Sequence, residues 1–233
     1  MPKYYKFGIF AGILIIVVLM GFALSAKKQQ SQTNFVTEIQ RNVTSEDRRV
    51  YEDRQADFLK KLSETNDDAE KYNIYLNLGF NSYVLGHLGD SKNYFEQAIQ
   101  INADQYDVYQ GLFHTQIDME DYIGATASIK KAISIRKGNA GLWRDYIQFE
   151  IERVHAPNDF INNLFGEAIT DTTQRGDATN YTDVITTYAS WLEKVGNLQE
   201  AVNYWKKAIE SNPDRKVVFQ AEITRLNALI EKR

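Results

Sequence analysis

Apolar residues fall along this chain in three patterns. From Phe7 to Ala26 they run on for twenty residues without a charge. At 1.5 Å per residue such a run makes a helix of about 30 Å, the depth of a bilayer's hydrocarbon core. Lys27 to Thr33 (KKQQSQT) is polar and predicts a tether, within a linker over 27–44. Between Ser45 and Glu64, Tyr51, Phe58, Leu59 and Leu62 supply one modest apolar face. That predicts a helix within 45–68, with Ser45 as its cap and Glu46 and Asp47 favourable in its first turn. From Tyr72 onward, large and small apolar residues recur with a period of 34 residues.

The first pattern predicts a transmembrane anchor over 1–26. Lys3 and Lys6 precede the run, Lys27 and Lys28 follow it, and Tyr4 and Tyr5 suit the headgroup region. Ala23-Leu24-Ser25 has the small-x-small form of a signal-peptidase site, so a cleaved signal peptide is the alternative. The run exceeds the usual signal-peptide core of about 7–15 residues, which favours an uncleaved anchor. Positive charge is nearly balanced across it. The very short leading tail places the N-terminus inside and the C-terminal domain on the extracytoplasmic side.

In the third pattern the first unit, Tyr72 to Gln105, carries Tyr75, Leu78, Gly79, Leu85, Gly86, Ser91, Phe95 and Ala98 at positions 4, 7, 8, 14, 15, 20, 24 and 27. The second, Tyr106 to Asn139, follows without a gap: Tyr109, Leu112, Met119, Ala125, Ile129 and Ala132 take positions 4, 7, 14, 20, 24 and 27. It departs at position 8, where Phe113 replaces a small residue, and at position 32, where Lys137 stands. The third starts at Ala140 with Trp143 and Tyr146, and needs about two extra residues near His155-Ala156-Pro157 before Ile161, Phe165 and Ala168 restore the phase. The fourth, Thr182 to Arg215, is the most regular, through Ile185, Tyr188, Ala189, Leu192, Val195, Gly196, Asn197, Ala201, Trp205, Ala208 and Pro213. These units resemble the tetratricopeptide repeat. The resemblance implies an all-α, TPR-like right-handed helical solenoid of about four helix-turn-helix repeats over 72–215. Residues 216–233 predict a last amphipathic helix, through Val217, Val218, Ala221, Ile223, Leu226, Leu229 and Ile230, suited to capping the open end.

Charge and composition narrow the function. Beyond residue 26 the chain holds 25 basic and 31 acidic residues, near −6, with no clustered Lys/Arg stripe; this argues against nucleic acid. The absence of cysteine excludes disulfides, thiolate metal sites and thiol catalysis. His87, His114 and His155 lack ligand spacing, and Asp118, Glu120 and Asp121 read as a helix cap and solvated turn. Asn42-Val43-Thr44 and Asn180-Tyr181-Thr182 match the glycosylation sequon, which matters only in a eukaryotic secretory setting. No catalytic constellation, cofactor site or small-molecule substrate is expected.

In the repeat family, partners lie in a groove lined by the first helix of each unit. Carried onto this chain, that implies a groove of Leu76, Phe80, Tyr83 and Val84 from unit one, Gln110, His114 and Ile117 from unit two, and Arg144, Gln148 and Ile151 from unit three. Its leading end is apolar and the rest of mixed charge. Leu76, Gln110, Arg144 and Thr186 do not form the clamp that chaperone-binding members use for a C-terminal carboxylate. The apolar patch should be covered, either by the 45–64 helix through Phe58 and Leu62 or by a partner's amphipathic helix or extended peptide. The expectation is a non-enzymatic scaffold that binds a protein at the membrane. The alternative is a structural subunit of a cell-envelope, pilus or secretion assembly.

Overall fold

Polar caps mark where the helices begin. The Thr44 side chain accepts from the Asp47 N–H, Asp67 from Glu70, Asp121 from Gly124, Asn139 from Leu142, and Asp177 from Thr179 and Asn180. Each satisfies a backbone donor that the first turn leaves unpaired. The first of these caps is Thr44 rather than Ser45. Thr44 holds an extended backbone (φ −62°, ψ 157°), whereas Ser45 is already helical.

The computed structural model describes residues 35–232; the apolar run expected to be an anchor lies outside them. Among the described residues there are ten α-helices: α1 (Ser45–Glu64), α2 (Asp68–Leu85), α3 (Leu88–Ile101), α4 (Tyr106–Asp118), α5 (Tyr122–Ile135), α6 (Ala140–Phe149), α7 (Asn158–Arg175), α8 (Ala178–Lys194), α9 (Leu198–Ser211) and α10 (Lys216–Ile230). None of them is long and apolar enough to cross a membrane. The helices α2 to α9 form four successive antiparallel pairs, each packed on its neighbours in the chain, which is an all-helical TPR-like solenoid. α1 and α10 flank it.

The pairs approach closely because glycine faces an aromatic ring. Phe95 of α3 is fully buried between Gly79 of α2 and Gly111 of α4. A Cβ on Gly79 would lie 2.6 Å from Phe95 Cε1, and one on Gly111 would collide with the same ring. Gly111 thus makes the joint between units one and two, whereas position 8 of unit two is Phe113. Phe113 is itself buried, and its ring stands edge-on to Phe149 of α6 at 5.5 Å. A large residue is tolerated there because it fills the joint with the next unit.

Unit three absorbs its extra residues within a helix. After Phe149, α6 widens into a π turn over Glu150–Val154, which ends at His155 in the left-handed region (φ 56°) with the Ala156 N–H donating to Glu150 O at 2.9 Å. Glu150 is buried at this turn; burial pushes its carboxyl above the ordinary value, while Tyr146 and Lys130 pull it back. The second helix of this unit, α7, has 18 residues where α3, α5 and α9 have 14.

α10 packs on α9 through Phe219, Ile223 and Leu226, spaced for one helical face, with the Phe219 ring 5.7 Å from that of Trp205. Val217 and Val218, expected on that face, point to solvent at 83% and 55% exposure. They lie about 200° and 100° around the helix from Phe219.

The stretch expected to be a polar linker is docked where it is described. Val36 to Arg41 runs along the turns of the first two units, and the Val43 N–H then donates back to Arg41 O at 2.9 Å in a tight turn. The Val36 N–H donates to Met119 O (3.2 Å), the Ile39 N–H to Gly86 O (3.0 Å) and the Gly89 N–H to Thr37 O (3.0 Å). An isolated antiparallel bridge pairs Glu38 with His87. Composition concealed this strap because three of its bonds are made by the main chain and its side-chain partners lie far away in sequence.

Candidate protein-binding groove

α2, α4 and α6, the first helices of three units, line a cleft of about 260 Å³. Tyr83 comes from α2; Phe113, His114, Ile117 and Asp118 from α4; Asp145, Gln148 and Phe149 from α6; and Glu152 and Arg153 from the π turn. Of the ten residues the sequence nominated, Tyr83, His114, Ile117 and Gln148 converge here. The buried rings of Phe113 and Phe149 give the cleft an apolar floor, and Asp118, Asp145, Glu152, Gln148, His114 and Arg153 surround it.

The other six lie elsewhere. Gln110 donates through Nε2 to Asp145 Oδ2 at 2.9 Å, a bond between neighbouring units. Arg144 is exposed and lines a separate small crevice with Trp143, Ile147 and Asp183. Ile151 sits half-buried against the main core from the π turn. Leu76 packs half-buried on the cluster of Tyr72, Phe95, Ala98, Val108 and Leu112. Val84 is half-buried, and Phe80 remains 41% exposed with its ring edge-on to Phe95 at 5.1 Å.

α1 does not cover that patch. Its half-buried residues Tyr51, Gln55, Phe58 and Leu62 form one side, and its main contact is with α2, where Gln55 Nε2 donates to Ser82 Oγ at 3.4 Å. Ser82 follows Phe80 by two residues and so faces nearly the opposite side of α2. The helix therefore takes the place of the second helix of a preceding unit and shields Ser82 and its neighbours. Of the apolar patch, Phe80 stays exposed.

Two carboxylates organise the cleft. Asp145, absent from the sequence-based selection, accepts from Gln110 and lies 3.7 Å from His114 Nε2. Burial holds the His114 imidazole below its ordinary value of 6.5, and Asp145 and Asp118 oppose that shift. Tyr72 donates to Asp107 across the same interval, one repeat plus one residue, at the joint between units one and two. Asp118 accepts from Arg41 of the strap, whose guanidinium also lies 4.4 Å over the Tyr83 ring. Burial lowers the Arg41 value, but its bonds to Asp118 and Tyr83 outweigh that and raise it. Among the described residues no group of His, Asp and Glu is placed to hold a metal ion.

The profile of the tetratricopeptide repeat matches residues 72–105, which are α2, α3 and the turn that leads to α4. Residues 72–105 form a tetratricopeptide repeat. No curated protein sequence matches the chain. Among solved structures, MamA is similar over 71% of this chain and 90% of its own, at 16% identity and a TM-score of 0.51. PilF of Pseudomonas aeruginosa is similar over 71% of each chain at 18% identity and a TM-score of 0.49. YrrB, described as a TPR protein with an unusual peptide-binding site, is similar over 76% of this chain and 84% of its own, at 16% identity and a TM-score of 0.45. At such identities the likeness speaks to the fold alone. Tetratricopeptide repeats generally serve as scaffolds for protein interaction.

Proposed function

We propose that this chain is a non-enzymatic protein-interaction scaffold, held at a membrane by the helix of its N-terminal apolar run, with the repeats on the extracytoplasmic side. The cleft between α2, α4 and α6 carries the reading. Its aromatic floor and polar rim fit a peptide or an amphipathic helix from a protein partner. The charge-free length of Phe7–Ala26 supports the anchor.

A photo-crosslinking residue at Ile117, in the cleft, should capture one discrete partner in intact cells. The same residue at Ile123, which is 88% exposed and outside the cleft, should not. Equal capture at both sites would remove the groove from the account. Protease digestion of intact cells against spheroplasts reads the topology: cleavage in spheroplasts alone fits an extracytoplasmic domain, and protection in both overturns it.

A second reading, a subunit of a cell-envelope, pilus or secretion assembly, is favoured by the exposed Val217 and Val218 at the end of the solenoid. Purification in mild detergent separates the two. A stoichiometric ring or filament supports the assembly subunit, and a substoichiometric client supports the scaffold.

A further inference from the structure

We propose that the rim formed by Gly86 to Gly89, Tyr83 and Asp118 is a binding site for an extended, arginine-bearing segment, and that the strap Val36–Arg41 occupies it in cis. The chain would then carry its own competitor for one edge of the groove. This rests on the groove being a peptide site, but its test needs no external partner, so the two ideas fail separately.

The strap displays the chemistry that the rim accepts. Ile39 and Thr37 make two main-chain bonds with Gly86 and Gly89, so the rim reads an extended backbone before it reads side chains. Gly86 is left-handed (φ 89°), and a Cβ there would collide with the Ile39 carbonyl oxygen; the strap can approach only because the turn has no side chain. Two strap side chains are engaged: Glu38 lies 3.1 Å from His87 Nδ1 at the exposed edge, and Arg41 makes the more enclosed contact. Thr37, Ile39 and Arg41 follow at every second residue, so an extended chain turns all three to the same side. Arg41 then reaches a socket made of Tyr83 from unit one and Asp118 from unit two. A planar guanidinium stacks on the ring and donates to the carboxylate together, which a lysine does poorly. The socket exists only where two repeats stack.

The same contacts leave the strap displaceable. Val36, Ile39 and Arg41 are half-buried, Thr37, Glu38 and Gln40 are exposed, and none of these residues is fully buried. A segment held by a few main-chain bonds, the Arg41–Asp118 pair and the exposed Glu38–His87 contact opens well before the solenoid unfolds. A partner segment with an extended backbone and an arginine in register would take the same place.

The test uses the full chain in detergent and a fluorescent peptide of residues 35–43. Arg41→Glu should bind the peptide about tenfold more tightly than the wild type, as expected if the strap is closed about nine-tenths of the time. Adding the peptide should restore hydrogen-exchange protection at the Gly89 amide. Exchanging the peptide's arginine for glutamate should abolish binding, and so should Asp118→Ala placed on the Arg41→Glu background. Ile39→Pro removes the Ile39 N–H while sparing Arg41 and provides a second open form, with thermal melting to verify the fold of each variant. Equal peptide affinity in the wild type and both open forms, or binding that ignores the arginine, would overturn the proposal.

Discussion

Gly86 and Glu120, 34 residues apart, hold the same left-handed backbone, with φ of 89° and 63°. Both sit at position 15, in the turn between the two helices of their unit, and Gly196 (φ 87°) repeats the geometry in unit four. The turn needs that conformation whichever residue occupies it. Glycine adopts it freely, while a residue with a Cβ is strained there. Glu120→Gly should therefore raise stability by about 1 kcal/mol, and Gly196→Ala should lower it by a similar amount. Chemical denaturation midpoints with unchanged slopes would check both. A neutral Glu120→Gly would show that the glutamate gains a compensating contact.

Glycines in helices should divide by what they face. Gly79→Ala places a methyl against the buried Phe95 ring and should cost about 1–3 kcal/mol. Gly166→Ala meets nothing within 4 Å on exposed α7 and should stabilise by up to about 1 kcal/mol through helix propensity alone. Thermal unfolding of the pair would show opposite signs. In the Gly79→Ala background, Phe95→Leu should recover part of the loss.

Asp171 ties unit three to the end of unit two. Its Oδ2 accepts from the Gly138 N–H at 2.6 Å and from Trp143 Nε1 at 2.8 Å. Asp171→Ala leaves both donors without that partner and should cost about 1–3 kcal/mol. Denaturant unfolding followed by tryptophan fluorescence would measure it. Asp171→Asn, which keeps one accepting oxygen, should lose less.

His114 sets a pH dependence whose sign is fixed. Its folded value lies below the ordinary 6.5, so between the two the unfolded chain takes up a proton that the folded chain refuses. This contribution to stability is present above 6.5 and is lost as the pH falls towards the folded value. Melting temperature measured from about pH 7 to about pH 5 should fall less steeply in His114→Gln than in the wild type. An unchanged slope would show that His114 titrates equally in both states.

Much of the solenoid was legible in advance because a repeat encodes its own contacts. Tyr75, Leu78 and Ala98 recur one unit later as Tyr109, Leu112 and Ala132 because each unit packs on a copy of the same surface. The groove was legible only in part. Position within the unit identified Tyr83, His114, Ile117 and Gln148, but not that Gln110 would be engaged by Asp145. The register between neighbouring units decides that, and no single unit contains it.

The strap shows where the residues alone stop. Amino-acid pattern determined the helices, their pairing and the glycine-lined joints, because those follow from side-chain size at a fixed period. Tertiary structure alone decided that Val36–Val43 is docked and that Arg41 meets Asp118 across 77 positions of sequence. It also decided that α1 covers the side of α2 away from Phe80. Main-chain hydrogen bonds carry no side-chain signature, and a socket shared by two units forms only when those units stack.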